Sequence, residues 1–117
     1  MASIAETLLS RTARDGGVTV SLETGDVAAH TSGFYVGGRV AGYTVPVGAT
    51  LMDYIGASNR LANAMDGTGY VGTWTDGDLV YVDASDHVED FETAVKLAAS
   101  RGELAIWEIA GGTEFRL

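Results

Sequence analysis

Residues 70–84 read YVGTWTDGDLVYVDA, and the Asp76-Gly77 dipeptide at their centre decides the fold. Tyr70 to Thr75 and Leu79 to Ala84 are rich in β-branched and aromatic residues. Asp-Gly between two such runs supplies the positive φ angles of a type I′ hairpin turn. Upstream, residues 50–65 read as a helix with Thr50 as N-cap and Asp53 at the positive end of the dipole. Leu51, Ile55, Leu61 or Ala62, and Met65 lie on one face, and Gly67 is the stop. Downstream, a helix begins near Asp90, carries Phe91, Ala94, Val95 and Ala98 inward, and ends at Ser100-Arg101-Gly102 with a cation and a glycine. Residues 104–109 then form a strand, Gly111-Gly112 a turn, and residues 114–117 a short strand. A helix followed by a hairpin thus occurs twice, each time with a tryptophan, Trp74 or Trp107, near the turn. The matches are short and the spacings unequal, so this is reuse of one unit and not a duplication.

The N-terminal part is consistent with the same architecture. Ser3 and Glu6 form a capping-box pair ahead of Ile4, Leu8 and Ala5 or Leu9, a stripe that stops at Gly16-Gly17. Val18, Val20 and Leu22 alternate with Thr19 and Ser21 as a half-buried strand does. Residues 23–26 turn the chain, and residues 27–33, VAAHTSG, show no periodicity. Residues 34–36 and 39–45 read as two strands joined by a two-residue turn at Gly37-Gly38, with Pro46 closing the second. Hairpins and helices in this order are buried best as a mainly antiparallel sheet with two or three helices on one face, an α+β fold. No linker or low-complexity tract divides the chain, so residues 1–117 are expected to form a single domain.

Composition narrows the functional classes. The chain has 117 residues, of which 46% are hydrophobic and 20% charged, which is too apolar for a disordered segment. It has no cysteine, which excludes disulfides, thiolate metal sites and a thiol nucleophile. The start, MASIAETLLSRTARDGG, is amphipathic and mixed in charge, and no apolar run approaches the length of a membrane span. A cytoplasmic protein without membrane contact is expected. A net charge of −9 opposes the neutralisation of phosphate backbones, so no direct nucleic-acid binding is expected.

The charge is local. Asp76, Asp78, Asp83, Asp86, Glu89, Asp90 and Glu92 fall within seventeen residues that contain no Lys or Arg, whereas the rest of the chain is nearly balanced. These seven form the candidate binding face, because spaced carboxylates steer a basic partner and can imitate the phosphate row of a duplex. Solvation and helix capping are the competing account of the same residues. Asp83, Asp86 and His87 are the candidate set for a metal-dependent hydrolase using hard cations, although the sequence has neither an EF-hand pattern nor a two-histidine helical spacing. His30 has no motif partner, no G-x-S-x-G elbow is present, and the glycines at 37, 38 and 42 precede a strand where a phosphate loop needs a helix. No catalytic residue, cofactor or metal is therefore assigned. Open strand edges and two tryptophans make a homodimer a further expectation.

The C-terminal half resembles a known group. Asp78-Leu79-Val80-Tyr81-Val82-Asp83, Val88-Glu89, Ala94, Leu97-Ala98 and the run from Arg101 through Gly102, Glu103, Leu104, Ala105, Ile106 and Trp107 to Glu108 resemble small uncharacterised proteins of actinobacterial phages and mobile elements. Gly33-Phe34-Tyr35-Val36-Gly37-Gly38 matches more loosely, and Glu108 stands where Asp is more usual. The resemblance implies a phage or prophage accessory product acting in a bacterial host, and it carries no activity to any residue. The expectation is a non-enzymatic protein that binds and modulates a host protein. The alternatives are a DNA-mimic inhibitor of a nuclease or defence system, a small metal-dependent hydrolase, and a virion or assembly component.

Overall fold

The computed structural model describes residues 2–117 and builds a seven-stranded antiparallel sheet with three helices. The order is α1 (Ile4–Asp15), β1 (Gly17–Ser21), β2 (Phe34–Val36), β3 (Tyr43–Pro46), α2 (Leu51–Ala64), β4 (Tyr70–Asp76), β5 (Leu79–Val88), α3 (Phe91–Ser100), β6 (Ala105–Glu108) and β7 (Thr113–Arg116). The hairpin read from residues 70–84 is present, with β4 and β5 paired from Tyr70 opposite Ser85 to Asp76 opposite Leu79. Its two loop residues are Gly77 and Asp78, and only Gly77 has positive φ, 63°, which is the type II′ pattern in place of the expected type I′. Across the sheet the strands run β1-β4-β5-β2-β6-β7, with β3 also paired to β5.

The turn expected at Gly37-Gly38 does not form a hairpin. β2 and β3 lie end to end along the same edge of β5, opposite Val88 to Asp86 and Val82 to Leu79 respectively. Residues 37–42 therefore span the gap opposite residues 83–85, two residues against one, and bulge away from the sheet. Gly38, at φ 86°, bends the chain, and Arg39 turns to the end of α2, where its guanidinium donates to the Met65 carbonyl and the Thr68 hydroxyl. Two short strands with a glycine pair between them look like a hairpin locally. The long central strand captures both instead.

All three helices cover one face. Val80, Val82 and Ala84 of β5 pack under α1 and α2, and Val88 packs with Phe34, Val36 and Ile106 under α3. The capping boxes at Ser3/Glu6 and Thr50/Asp53 both form, and Asp90 caps α3. In α1 the buried residues are Ala5, Leu8 and Thr12, and the Thr12 and Thr73 hydroxyls bond at 2.6 Å, tying the helix to β4. In α2 the inward face is Tyr54, Ala57, Ser58 and Leu61, not the expected Leu51 and Ile55. Leu51 is exposed, Ile55 is half-buried and packs against the core, and the expected Leu61 and Met65 are fully buried, with the Tyr54 ring taking the inward place in the first turns. Among the described residues no helix is long and apolar enough to cross a membrane.

Two apolar clusters result, one under α1 and α2 and one under α3, and Asp86 joins them. Its carboxylate accepts from Arg101 at 2.8 Å and from Arg39 at 3.4 Å. Arg101 also donates to the Gly37 carbonyl, and Arg39 to that of Met65. One carboxylate thus holds the end of α2, the end of α3 and the β2–β3 crossing together.

Candidate functional site

With the helices on one face, the alternation of β5 sends Tyr81, Asp83, Ser85 and His87 to the other. The register places Trp74 opposite Tyr81 and Gly72 opposite Asp83 on this open face. Trp107, opposite Tyr35, joins them from β6. Of these, Tyr35, Gly72, Trp74, Asp83, Ser85 and Trp107 line a cleft of about 1170 Å³.

Asp83 is held in it by its neighbours. Trp74 Nε1 donates to Asp83 Oδ2 at 3.3 Å, and the Trp74 ring stacks on Tyr81 with centroids 4.4 Å apart. Gly72 and Gly42 flank the carboxylate, and a Cβ at Gly42 would run into it, so the side chain has room only because that neighbour has none. Crowding by the surrounding chain raises the Asp83 carboxyl above its ordinary pKa, with the Trp74 N–H acting in the opposite sense. Trp74 and Trp107 remain 50% and 46% exposed at the cleft.

The charges around this cleft are unequal. Of the acids that line the cleft, Asp15 and Glu114 are paired with Arg14 and Arg116, whereas among the described residues no cation is bonded to Asp83 or Glu103. Arg39 and Arg101 line it too, but their guanidinium groups are held by Asp86 and by backbone carbonyls. An exposed indole beside a carboxylate that lacks a cation suits a cationic group on an apolar stem, since the ring attracts the cation and packs on the stem.

One end of the open face is roofed by residues 27–33. His30 stacks on His87 at 3.7 Å, with Nδ1 3.0 Å from the Tyr35 hydroxyl and Nε2 3.3 Å from that of Tyr70. His87, which lies within β5 and not after it, donates from Nε2 to the Ser32 carbonyl at 3.0 Å. Burial first, and the neighbouring His87 second, lower the pKa of His30. Both ring nitrogens of His30 are engaged, so the imidazole pins the segment to the sheet.

The seven acids of the candidate face are distributed over several environments. Asp76 and Asp78 lie exposed at the β4–β5 turn, Asp83 lies in the cleft, and Asp86 lies on the helix side in its ion pairs. Glu89 accepts from Ser32 and sits 3.5 Å from His87, while Asp90 accepts from the Thr93 amide and hydroxyl, which lowers its pKa. Glu92 occupies the first turn of α3. The set Asp83, Asp86 and His87 does not converge, because Asp86 faces the helices and His87 is four residues, about 13 Å, along the strand from Asp83. Among the described residues no group of three or more His, Asp or Glu is placed to hold a metal ion.

Part of the cleft was readable in advance. A tight turn at Asp76-Gly77 already puts Trp74 and Asp83 on one face, and the observed loop, shifted to 77–78, sets Trp74 opposite Tyr81. Tyr35, Trp107, Glu103 and Glu114 arrive through pairings distant in sequence, and no local signal points to them. No protein-family model, curated protein or solved structure matches the chain.

Proposed function

We propose that the chain is a non-enzymatic binding protein, a phage or prophage accessory product that engages a protein of its bacterial host, and that it does so through the open-sheet cleft. The observation that carries this reading is Asp83, a carboxylate with no cation bonded to it among the described residues, which accepts from Trp74 in a large cleft that also exposes Trp107. Its partner is a basic segment whose Arg or Lys reaches Asp83 while the aliphatic stem packs on Trp74. The phage context rests on the resemblance of the C-terminal half.

The DNA-mimic alternative has weaker support, since Asp83 and Asp86 face opposite ways and Asp90 is committed to a helix cap. The hydrolase alternative loses Asp86 to the ion pairs in the same way.

The chain contains two tryptophans, and both line the cleft, so intrinsic fluorescence reports directly on its occupancy. Titration with an arginine-rich peptide is expected to shift the emission saturably and in a salt-sensitive manner. A glutamate-rich peptide of equal length is expected to leave it unchanged. Equal responses to both, or none to the basic peptide, would overturn the reading.

A further inference from the structure

Among the described residues, the outer edge of the sheet that is least protected is that of β7. At the β1 end, Val27 bridges to Val20 and Ala28 donates to the Thr19 carbonyl, which covers that edge. The β3 edge carries Pro46, which has no N–H to offer. At the other end β7 pairs only with β6, and all four of its residues are exposed.

The backbone groups of β7 that point outward can be assigned. Leu117 donates to the Leu104 carbonyl, in the same register that sets Phe115 opposite Ile106 and Thr113 opposite Glu108. Hydrogen-bonded pairs alternate along an antiparallel ladder, so residues 113, 115 and 117 direct their N–H and C=O groups to β6. Glu114 and Arg116 direct theirs away from the sheet. A second β7 can therefore add only in registers that match outward residues with outward residues.

Charge selects among those registers. A two-fold axis through Glu114 sets Glu against Glu, and one through Arg116 sets Arg against Arg, and like charges directly opposite are destabilising. Within one chain Arg116 Nη1 already donates to Glu114 Oε1 at 3.0 Å, and an axis through Phe115 sets this pair against the reversed pair of the second copy, Glu114 opposite Arg116 and Arg116 opposite Glu114, so that four charges alternate on the open face. On the helix face it sets Phe115 against Phe115. That ring already meets Phe91 at 5.0 Å, and both are more than 40% exposed, so the pairing extends an existing aromatic row.

We propose that two copies of the chain associate through β7, antiparallel and centred on Phe115, so that the two sheets become one. The interface is isologous, with each Glu114–Arg116 pair exchanging two backbone hydrogen bonds as well as an ion pair. Reversing the strand inverts the sign at each charged position, so the edge is complementary to its own two-fold copy.

Sedimentation equilibrium of the full chain tests it through a charge swap. The wild-type protein is expected to dimerise in the micromolar range. Glu114→Arg and Arg116→Glu are each expected to raise the dimer dissociation constant about tenfold or more, because both pairs then become like-charged. An equimolar mixture of the two variants is expected to form a heterodimer, since every Arg then faces a Glu. In the same samples, amide exchange at Glu114 and Arg116 is expected to slow on dimerisation, which gives a reading that does not depend on any variant. A monomeric wild type, single variants that dimerise as before, a folded mixture that does not pair, or unprotected amides in the dimer would each overturn the proposal.

Discussion

Asp83 and Asp86 lie three residues apart on β5 and point to opposite faces of the sheet, Asp83 into the open cleft and Asp86 into the guanidinium groups of Arg39 and Arg101. An odd spacing on a strand requires this. The acidic run that looks uniform in sequence is therefore split between a carboxylate that bonds no cation and one that joins two halves of the core.

Asp86→Ala leaves Arg101, whose side chain is 15% exposed, without its partner. Loss of one member of a fully buried pair costs more, and because the Asp86 side chain is 23% exposed the expected loss is roughly 2 kcal/mol in urea unfolding. The docking of α2 and α3 is expected to loosen together, seen as faster amide exchange at both helix ends.

Asp83→Asn is expected to act in the opposite sense. Because the folded pKa of Asp83 is raised, the carboxyl holds its proton in the folded state at pH values where the unfolded chain has lost it. Stability from this group is greatest below the ordinary carboxylate value and falls as pH rises through the raised one. At neutral pH the Asn variant is expected to melt at or above the wild-type temperature.

Thr12→Val removes the hydroxyl that meets Thr73 but leaves the Val18 amide donating to Thr73 Oγ1 at 3.2 Å. Because Thr73 keeps one partner, the expected cost is about 1 kcal/mol by chemical denaturation. The double variant Thr12→Val/Thr73→Val is expected to cost less than the two single changes added, as coupled hydroxyls require.

The roof over the open face is expected to respond to acid. Burial lowers the pKa of His30, so the unfolded chain binds this proton more readily than the folded one. Stability from His30 is present above its ordinary value near 6.5 and falls as pH drops through the lowered one. Melting temperature is expected to decline across that window, and His30→Phe, which keeps a ring against His87 but has no proton to bind, is expected to flatten that part of the profile.

These cases also show what the sequence could convey. The β4–β5 hairpin, the capping residues Ser3, Thr50 and Asp90, and the α+β class were legible, because each depends on residues within a few positions of one another. The end-to-end placement of β2 and β3 was not, since it depends on β5 being long enough to hold both. On α2, Leu61 and Met65 are buried as the helical period implies, whereas the first turns bury Tyr54 and leave Leu51 exposed, since an aromatic ring with a hydroxyl gives no clear apolar signal. In the cleft, Trp74 and Asp83 follow from hairpin register, whereas Trp107 reaches Tyr35 only through the β2–β6 pairing.

The central claim is that the open-face cleft binds a cationic segment through Asp83, and the most direct measurement is tryptophan fluorescence titrated with an arginine-rich peptide for the wild type, Asp83→Asn and Asp86→Asn. The account predicts that Asp83→Asn weakens the peptide about tenfold while the fold is retained, in line with the value of a desolvated charge-assisted contact, and that Asp86→Asn lowers stability but leaves affinity nearly unchanged. Equal affinity for wild type and Asp83→Asn would contradict it.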